Sequence, residues 1–560
     1  LYLTRPVISI DRILHIITLF GTYSGYTINW NKSVMFNLCG SIPKLRRNCE
    51  AQIAQEGFKY MGVYVTRNPE VFYKHNLLPP LSRFKADTGH WRKLPLSLLG
   101  RASLFKMMAL PRFLYVLLNT PFKIRPSYFN AINGELRSLL WDGGVPRIAL
   151  RKLFKGWYEG GIALPDIQRY YWAAQLVTIN QWSFLPQSEP ALRMDRILMQ
   201  PRGFPGMLYN RSNNRQLTGP TAITVAIWHS TLRSLGWRDI ITRATPLWDT
   251  KSLGVLIGQV GFAEWDRIGI SAVEDIWQGK NIKSWEDLST EFRLAPAEVF
   301  RYLQIRHALG SVIPRGIVPP EASPLEARLL GGYMESKAIS LTYRKLVNNT
   351  PDDIAHLRAK WVMDLGELEE EEWGEALASP KESAMRSRFR LIQLKILHRS
   401  YYTPVLLKKI GRADSESCRR GCGERGSFFH VLWECNKLCE FWKGIQNIIH
   451  QLLGEENVIT PKLALLNIWE STDLVRADKI WVALILMIAR RNIVRLWGAE
   501  AAPAVAEWER DLDWCMMAEK IAYEGRGCPR KWSKIWGKWN TYRGDLCTNT
   551  LEGEGSENGG

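Results

Sequence analysis

Four residues of the sequence have the types and spacing of a metal set: Cys418-x3-Cys422-x7-His430-x4-Cys435. Three soft thiolates with one imidazole form an ordinary tetrahedral zinc set, and structural sites of this kind are closed. Gly421, Gly423 and Gly426 lie among the ligands, so the backbone can fold tightly and turn its amides toward the sulfurs. The plainer reading is a small core of the same four residues without metal. Cys439, one helical turn beyond Cys435, is a possible substitute ligand. Arg419, Arg420 and Arg425 surround the cluster, and Phe428 and Phe429 add flat apolar rings. Such a knuckle suits single-stranded RNA, whose phosphates meet arginine and whose bases stack on aromatics. The alternative for the two phenylalanines is a mini-core.

A second constellation lies between residues 81 and 160, with fourteen Lys or Arg against four acids. Arg101, Lys106 and Arg112 belong to it, interleaved with Trp91, Phe105, Phe113, Tyr115, Trp141 and Trp157. Excess positive charge with aromatics between is the footprint expected for phosphate backbones. A third stretch, Pro529 to Arg543, begins with Pro at a first helical position. At 100° per residue Trp532, Ile535, Trp536 and Trp539 share one face, which reads as core. Lys531, Lys534 and Lys538 share a neighbouring face that is free to meet phosphates. By contrast, seven acids between Asp364 and Glu375 read as a solvated face and not as a metal site.

The elements that carry these residues are mostly helices. Apolar residues at helical spacing predict a helix over Ile8 to Phe20 after Pro6, and Leu1 to Thr4 and Thr27 to Asn29 read as short strands. From Leu96 helix dominates, with breaks predicted at Pro111, Pro121, Pro126 and Gly143-Gly144. Phe204 to Pro220 reads as a loop, and Gly310 to Pro324, with four prolines, as a boundary.

The whole chain has 560 residues and a formal charge of +19, with the apolar content of a folded protein. Its longest apolar run, Ile480 to Ala489, ends at Arg490 and Arg491, well short of the roughly 20 residues that span a bilayer. Nine scattered cysteines do not make a disulfide scaffold and fit a reduced, intracellular protein. In that setting the glycosylation triplets at Asn31, Asn210 and Asn348 are chance matches. Leu1 in place of Met, without a signal-peptide pattern, reads as an N-terminally truncated fragment.

Several strings together resemble a known family. Residues 21 to 33, with Ser24-Gly25-Tyr26-x-Ile28-Asn29-x-x-Lys32-Ser33, resemble motif D of reverse transcriptases of LINE-type (non-LTR) retrotransposons. Phe58-Lys59-Tyr60-Met61-Gly62 is similar to the family's FKYLG primer-grip element. Trp91, Gly100-Arg101, Lys106, Leu110-Pro111 and Tyr115 match its thumb pattern, and Gly160 to Asp166 its GGIxLPD element. Trp361 to Gly366, Leu394 to Pro404 and Cys418 to Cys435 resemble the C-terminal part of the LINE-1 second open reading frame product. The likeness is weakest between about residues 205 and 355. Arg419 stands where those relatives often carry Trp.

The resemblance implies an α+β, predominantly helical fold. It divides the chain into a palm remnant (1–80), a thumb (81–200), a helical, wrist-like middle region (201–350) and a C-terminal domain with the knuckle (351–545); the Gly/Glu/Asn-rich last residues (546–560) read from their composition as a disordered tail. It implies RNA-directed DNA synthesis in the intact parent, with Mg²⁺ held by aspartates of an F/YADD turn that is missing from this sequence. Two-metal phosphoryl transfer needs those oxygen ligands. This fragment is therefore expected to bind RNA template and DNA primer or target, with structural zinc, and to be inactive by itself. Lys32, the motif D lysine, is the candidate catalytic residue, since an ammonium near the leaving pyrophosphate donates a proton or stabilises charge. Lys59 and Tyr60 of the grip join Arg101, Lys106, Arg112, Arg419, Arg420, Arg425, Lys531, Lys534 and Lys538 as candidate nucleic-acid contacts. The implied setting is a cytoplasmic ribonucleoprotein and the nucleus. A non-catalytic host nucleic-acid-binding protein derived from such an element is the competing reading.

Overall fold

The computed structural model describes residues 5–37, 51–186, 188–199, 207–209, 219–255, 262–314, 316–334, 336–348, 354–382, 386–454, 456–469 and 474–554. The fold is α+β and predominantly helical, with three two-stranded sheets among the described residues. No described helix is long and apolar enough to cross a membrane. The expected strand at Leu1 to Thr4 lies outside the described residues, as does most of the expected loop from Phe204 to Pro220.

The first helix runs Pro6–Ser24, opened by its proline and closed by Gly25 at φ 74°, whose N–H reaches the Gly21 carbonyl at 2.9 Å. The strand expected at Thr27 to Asn29 does not form. The Asn29 side chain accepts from the Lys32 amide at 3.2 Å and holds Trp30–Lys32 in a single 3₁₀ turn. Asparagine competes with a sheet ladder in this way, and the strand starts later, at β1 (Val34–Phe36). It pairs in parallel with β2 (Gln52–Ala54).

β3 (Gly57–Tyr60) and β4 (Val63–Thr66) form an antiparallel hairpin in the register Tyr60 with Val63. Its two-residue turn, Met61-Gly62, has positive φ at both positions, 45° and 84°. This is the primed turn that matches strand twist. Buried Asn76 clamps the second strand: its Oδ1 accepts from the Tyr64 amide at 2.7 Å and its Nδ2 donates to the Tyr64 carbonyl at 2.9 Å.

Pro111 does not break its helix. Leu98–Leu104 and Leu110–Leu118 are joined through a widened π turn, Phe105–Ala109, which leaves Pro111 in the first turn of the following segment, where a missing N–H is tolerated. Pro126 opens its helix, and Gly143-Gly144 ends it, as the sequence predicts. The helix Pro529–Glu554 continues through most of the expected tail. Once a helix is nucleated, each added residue gains a hydrogen bond at little cost.

Three hydrophobic cores organise these elements. The first gathers side chains from Leu77 to Leu232 and then, after a gap in sequence, from Leu325 to Val347. The second holds Leu247 to Ile313, and the third Ile354 to Trp539. The expected boundary at 200 therefore falls elsewhere in packing terms, while that at 350 lies between Val347 of the first core and Ile354 of the third. Both ends of the middle region join the first core, because Ile223, Trp228, Leu329 and Leu346 pack into it.

Candidate metal centre and nucleic-acid surface

The knuckle is a tight hairpin. The Cys418 amide donates to the Glu424 carbonyl at 2.8 Å and the Gly426 amide to the Glu416 carbonyl at 2.8 Å. Gly421 and Gly423 take φ 69° and 83°, values that side chains rarely tolerate, and this reversal brings Cys418 and Cys422 together. Gly426 has another task, since a Cβ there would stand 2.6 Å from Pro404 Cγ and lift the knuckle off its support. His430 and Cys435 bracket a π turn, His430–Glu434, closed by the Cys435 amide on the His430 carbonyl at 3.0 Å.

The four ligand atoms of Cys418, Cys422, His430 and Cys435 all lie within 4.8 Å of one another. Cys418 Sγ is 3.9 Å from Cys435 Sγ, and Cys422 Sγ is 3.2 Å from His430 Nε2. Zinc bonds of about 2.3 Å to sulfur and about 2.0 Å to nitrogen, at tetrahedral angles, set ligand atoms roughly 3.5–3.8 Å apart. The residues can hold a metal ion. Burial raises the Cys418 thiol to about 11 and lowers the His430 imidazole, which keeps that ring neutral. At Cys435 burial acts upward but is outweighed by the Lys437 amide and the Arg420 guanidinium, so this thiol is lowered. Cys439 is exposed and stands outside the set.

The predicted nucleic-acid contacts separate into inner and outer residues. Arg101 is 9% exposed and donates to the Leu139 and Arg92 carbonyls at 3.3 and 3.4 Å. Lys106 is half-buried, lowered by desolvation, and donates to the Ile162 carbonyl at 3.2 Å. Arg112 pairs with Asp87 at 2.6 Å. Arg420 is buried and donates to the Val431 carbonyl at 2.8 Å. Arg101 and Arg420 are corrections to the expected surface: each side chain is folded onto carbonyls inside the protein. Lys538 is partly committed as well, at 2.8 Å from Asp478.

Lys32, Lys59, Arg419, Arg425, Lys531 and Lys534 are exposed, and Tyr60 is 62% exposed at the hairpin tip. Arg419 also reaches the Gly498 carbonyl at 3.4 Å, and Arg425 pairs with Glu416 at 3.2 Å. Arg83, Lys85, Lys93, Lys123 and Arg137 are exposed too. Arg83, Lys85 and Arg137 stand at non-apolar helix positions, whose exposure is legible from spacing. Phe105 and Phe113 pack with Phe84 in the core, and Phe428 packs against Trp361 and Trp497, so these rings are structural. Trp532 is half-buried while Ile535, Trp536 and Trp539 are buried, on the face read from their spacing.

The short strings noted in the sequence touch one another. The Tyr115 hydroxyl donates to the Met61 carbonyl and its ring covers Gly62. His398 Nε2 donates to the Gly160 carbonyl at 2.7 Å, and Trp361 Nε1 to the Leu397 carbonyl at 2.9 Å. Gly161 permits the reversal, since a Cβ there would fall 2.0 Å from the Lys155 carbonyl oxygen. The acids of Asp364 to Glu375 have structural partners: Asp364 pairs with Arg399, Glu372 with Lys462, and Glu375 accepts the Trp469 amide. No protein-family model matches the chain.

Proposed function

We propose that this chain is the C-terminal part of a LINE-1-like reverse transcriptase and that it binds RNA template and DNA primer without polymerising by itself. The reading is carried by one observation: the hairpin tip that bears exposed Lys59 and Tyr60 is braced by Tyr115 of the thumb helix. Tyr60, next to the rigid turn, offers a ring on which a base can stack, and Lys59, on the other face of the same strand, a cation for a backbone phosphate. The exposed lysines and arginines of residues 81–160 supply the surrounding field. The motif residues that turn inward support the reading differently, since they join strings far apart in sequence into one framework. Zinc in the knuckle would fix the fold of residues 418–435 through Cys418, Cys422, His430 and Cys435.

Fluorescence anisotropy with a labelled primer annealed to RNA tests the proposal. The expected result is salt-dependent binding by residues 1–560 and no primer extension with Mg²⁺ and dNTPs. Absence of binding at low salt would overturn the reading, and extension above a heat-killed control would place catalytic carboxylates within this chain.

A further inference from the structure

Arg420 stands two residues after Cys418, in a glycine-rich turn at the protein surface, where a basic side chain would normally reach water. Its guanidinium is instead 6% exposed. One amino group donates to the Val431 carbonyl at 2.8 Å, while Nε and the other amino group are buried without a hydrogen-bond acceptor. None of the described carboxylates forms an ion pair with it. Glu424 and Glu434 act by charge on His430, as Arg420 does in the opposite direction, and neither forms an ion pair with Arg420.

A buried cation with no counter-charge costs several kcal/mol. The adjacent ligand set poses the opposite problem, because three thiolates around one divalent ion leave a net charge of −1 in a mostly buried site. One guanidinium brings that sum to zero. We infer that Arg420 is a positioning residue of the metal centre: the built-in counter-charge that makes a divalent ion neutral in the knuckle and leaves the metal-free knuckle with an unpaired buried cation. The inference rests on the metal reading above. It makes the metal-free knuckle doubly unfavourable, losing the ligand bonds and stranding the guanidinium. It also assigns a preference for soft divalent ions, since a monovalent ion such as Cu(I) would leave the site at −1 even with Arg420 present.

The test uses the full chain loaded with Zn²⁺, as wild type, R420K, R420Q and R420M. Native mass spectrometry gives the metal content and a chromogenic chelator the release rate. Release is expected to accelerate about 10- to 100-fold in R420Q and R420M, the range for partners that support ligands from behind, and less in R420K. Iodoacetamide alkylation of Cys435 should accelerate in the same order. The gap in Tm between zinc-loaded and chelated protein should shrink in R420M, whose metal-free form no longer buries a charge. If R420M does not fold, the ranking of R420K against R420Q decides. Wild-type release rates in R420Q, with an undiminished Tm gap, would overturn the role of Arg420 while the metal reading stands. Wild-type protein that takes up no zinc would overturn the metal reading itself.

Discussion

The thumb segment and the Cys/His knuckle both place cations beside aromatic rings, but each turns its motif cations inward for a different purpose. In the thumb, Arg101 and Lys106 satisfy carbonyls at the ends of other elements, Leu139, Arg92 and Ile162. In the knuckle, Arg420 satisfies one carbonyl and leaves two donors without a hydrogen bond beside Cys435, whose thiol it lowers. The rings follow the cations, with Phe105 and Phe113 in one core and Phe428 in another. A basic residue in such a string is thus as often a joint as an exposed cation: Arg101 and Arg420 are buried, while Lys32 and Lys59 face solvent.

The largest effect is expected at the knuckle. Cys435→Ser, or a strong chelator, should release residues 418–442 from protection in hydrogen exchange and destabilise the C-terminal core by about 4 kcal/mol or more. Unchanged protection would mean that the four side chains form an ordinary core.

Acid sharpens the comparison at the joint between the two regions. Burial holds His398 down at about 4 against an ordinary 6.5, with Nε2 on the Gly160 carbonyl and Nδ1 without a partner. The folded protein therefore takes up this proton later than the unfolded chain as pH falls. The stabilising contribution is complete above about pH 6.5 and is lost progressively toward pH 4, to a total of roughly 3 kcal/mol. Urea unfolding at pH 7 and 4.5 should show the loss, and His398→Gln should flatten that slope.

In the thumb, Arg101→Met should cost about 2–3 kcal/mol, because it leaves the Leu139 and Arg92 carbonyls unpaired. RNA affinity of the folded protein should be unchanged. A mutant of wild-type stability that binds poorly would return Arg101 to the surface. Tyr60→Ala should act oppositely, weakening binding by about 1–3 kcal/mol through lost stacking and leaving thermal stability within about 0.5 kcal/mol. The smallest effect is expected at the last helix. Replacing Lys531 and Lys534 with Gln should reduce the slope of log K against log salt by about 0.7 for each lost phosphate contact. Lys538→Gln should instead act on stability, through Asp478.

Periodicity made much of this structure legible. The helix at Pro6–Ser24, the tryptophan face of Pro529–Glu554 and the metal set at Cys418 to Cys435 all depend on local spacing. Features decided by distant partners were not legible. Nothing near Asn76 marks it as the clamp of a strand twelve residues earlier, and nothing beside Arg420 shows that Val431 will receive it. The strand predicted at Thr27 to Asn29 failed for a local reason, because the Asn29 side chain competes for the backbone. Pro111 was misread as a break because a π turn has no signature in spacing.

The return of the chain to the first core at Leu325 makes the unit between Leu247 and Ile313 an insertion with a closed neck. The Arg243 amide donates to the Pro320 carbonyl at 2.9 Å, and its guanidinium pairs with Glu321 at 2.7 Å. Thr242 Oγ1 completes the neck with a bond to Glu326 at 3.1 Å. Closing a loop between fixed ends costs only slowly more as the loop lengthens, about 0.6 kcal/mol for each doubling. With its ends already pinned together, this unit can gain or lose residues, or be exchanged for a short bridge, while the host core keeps its packing.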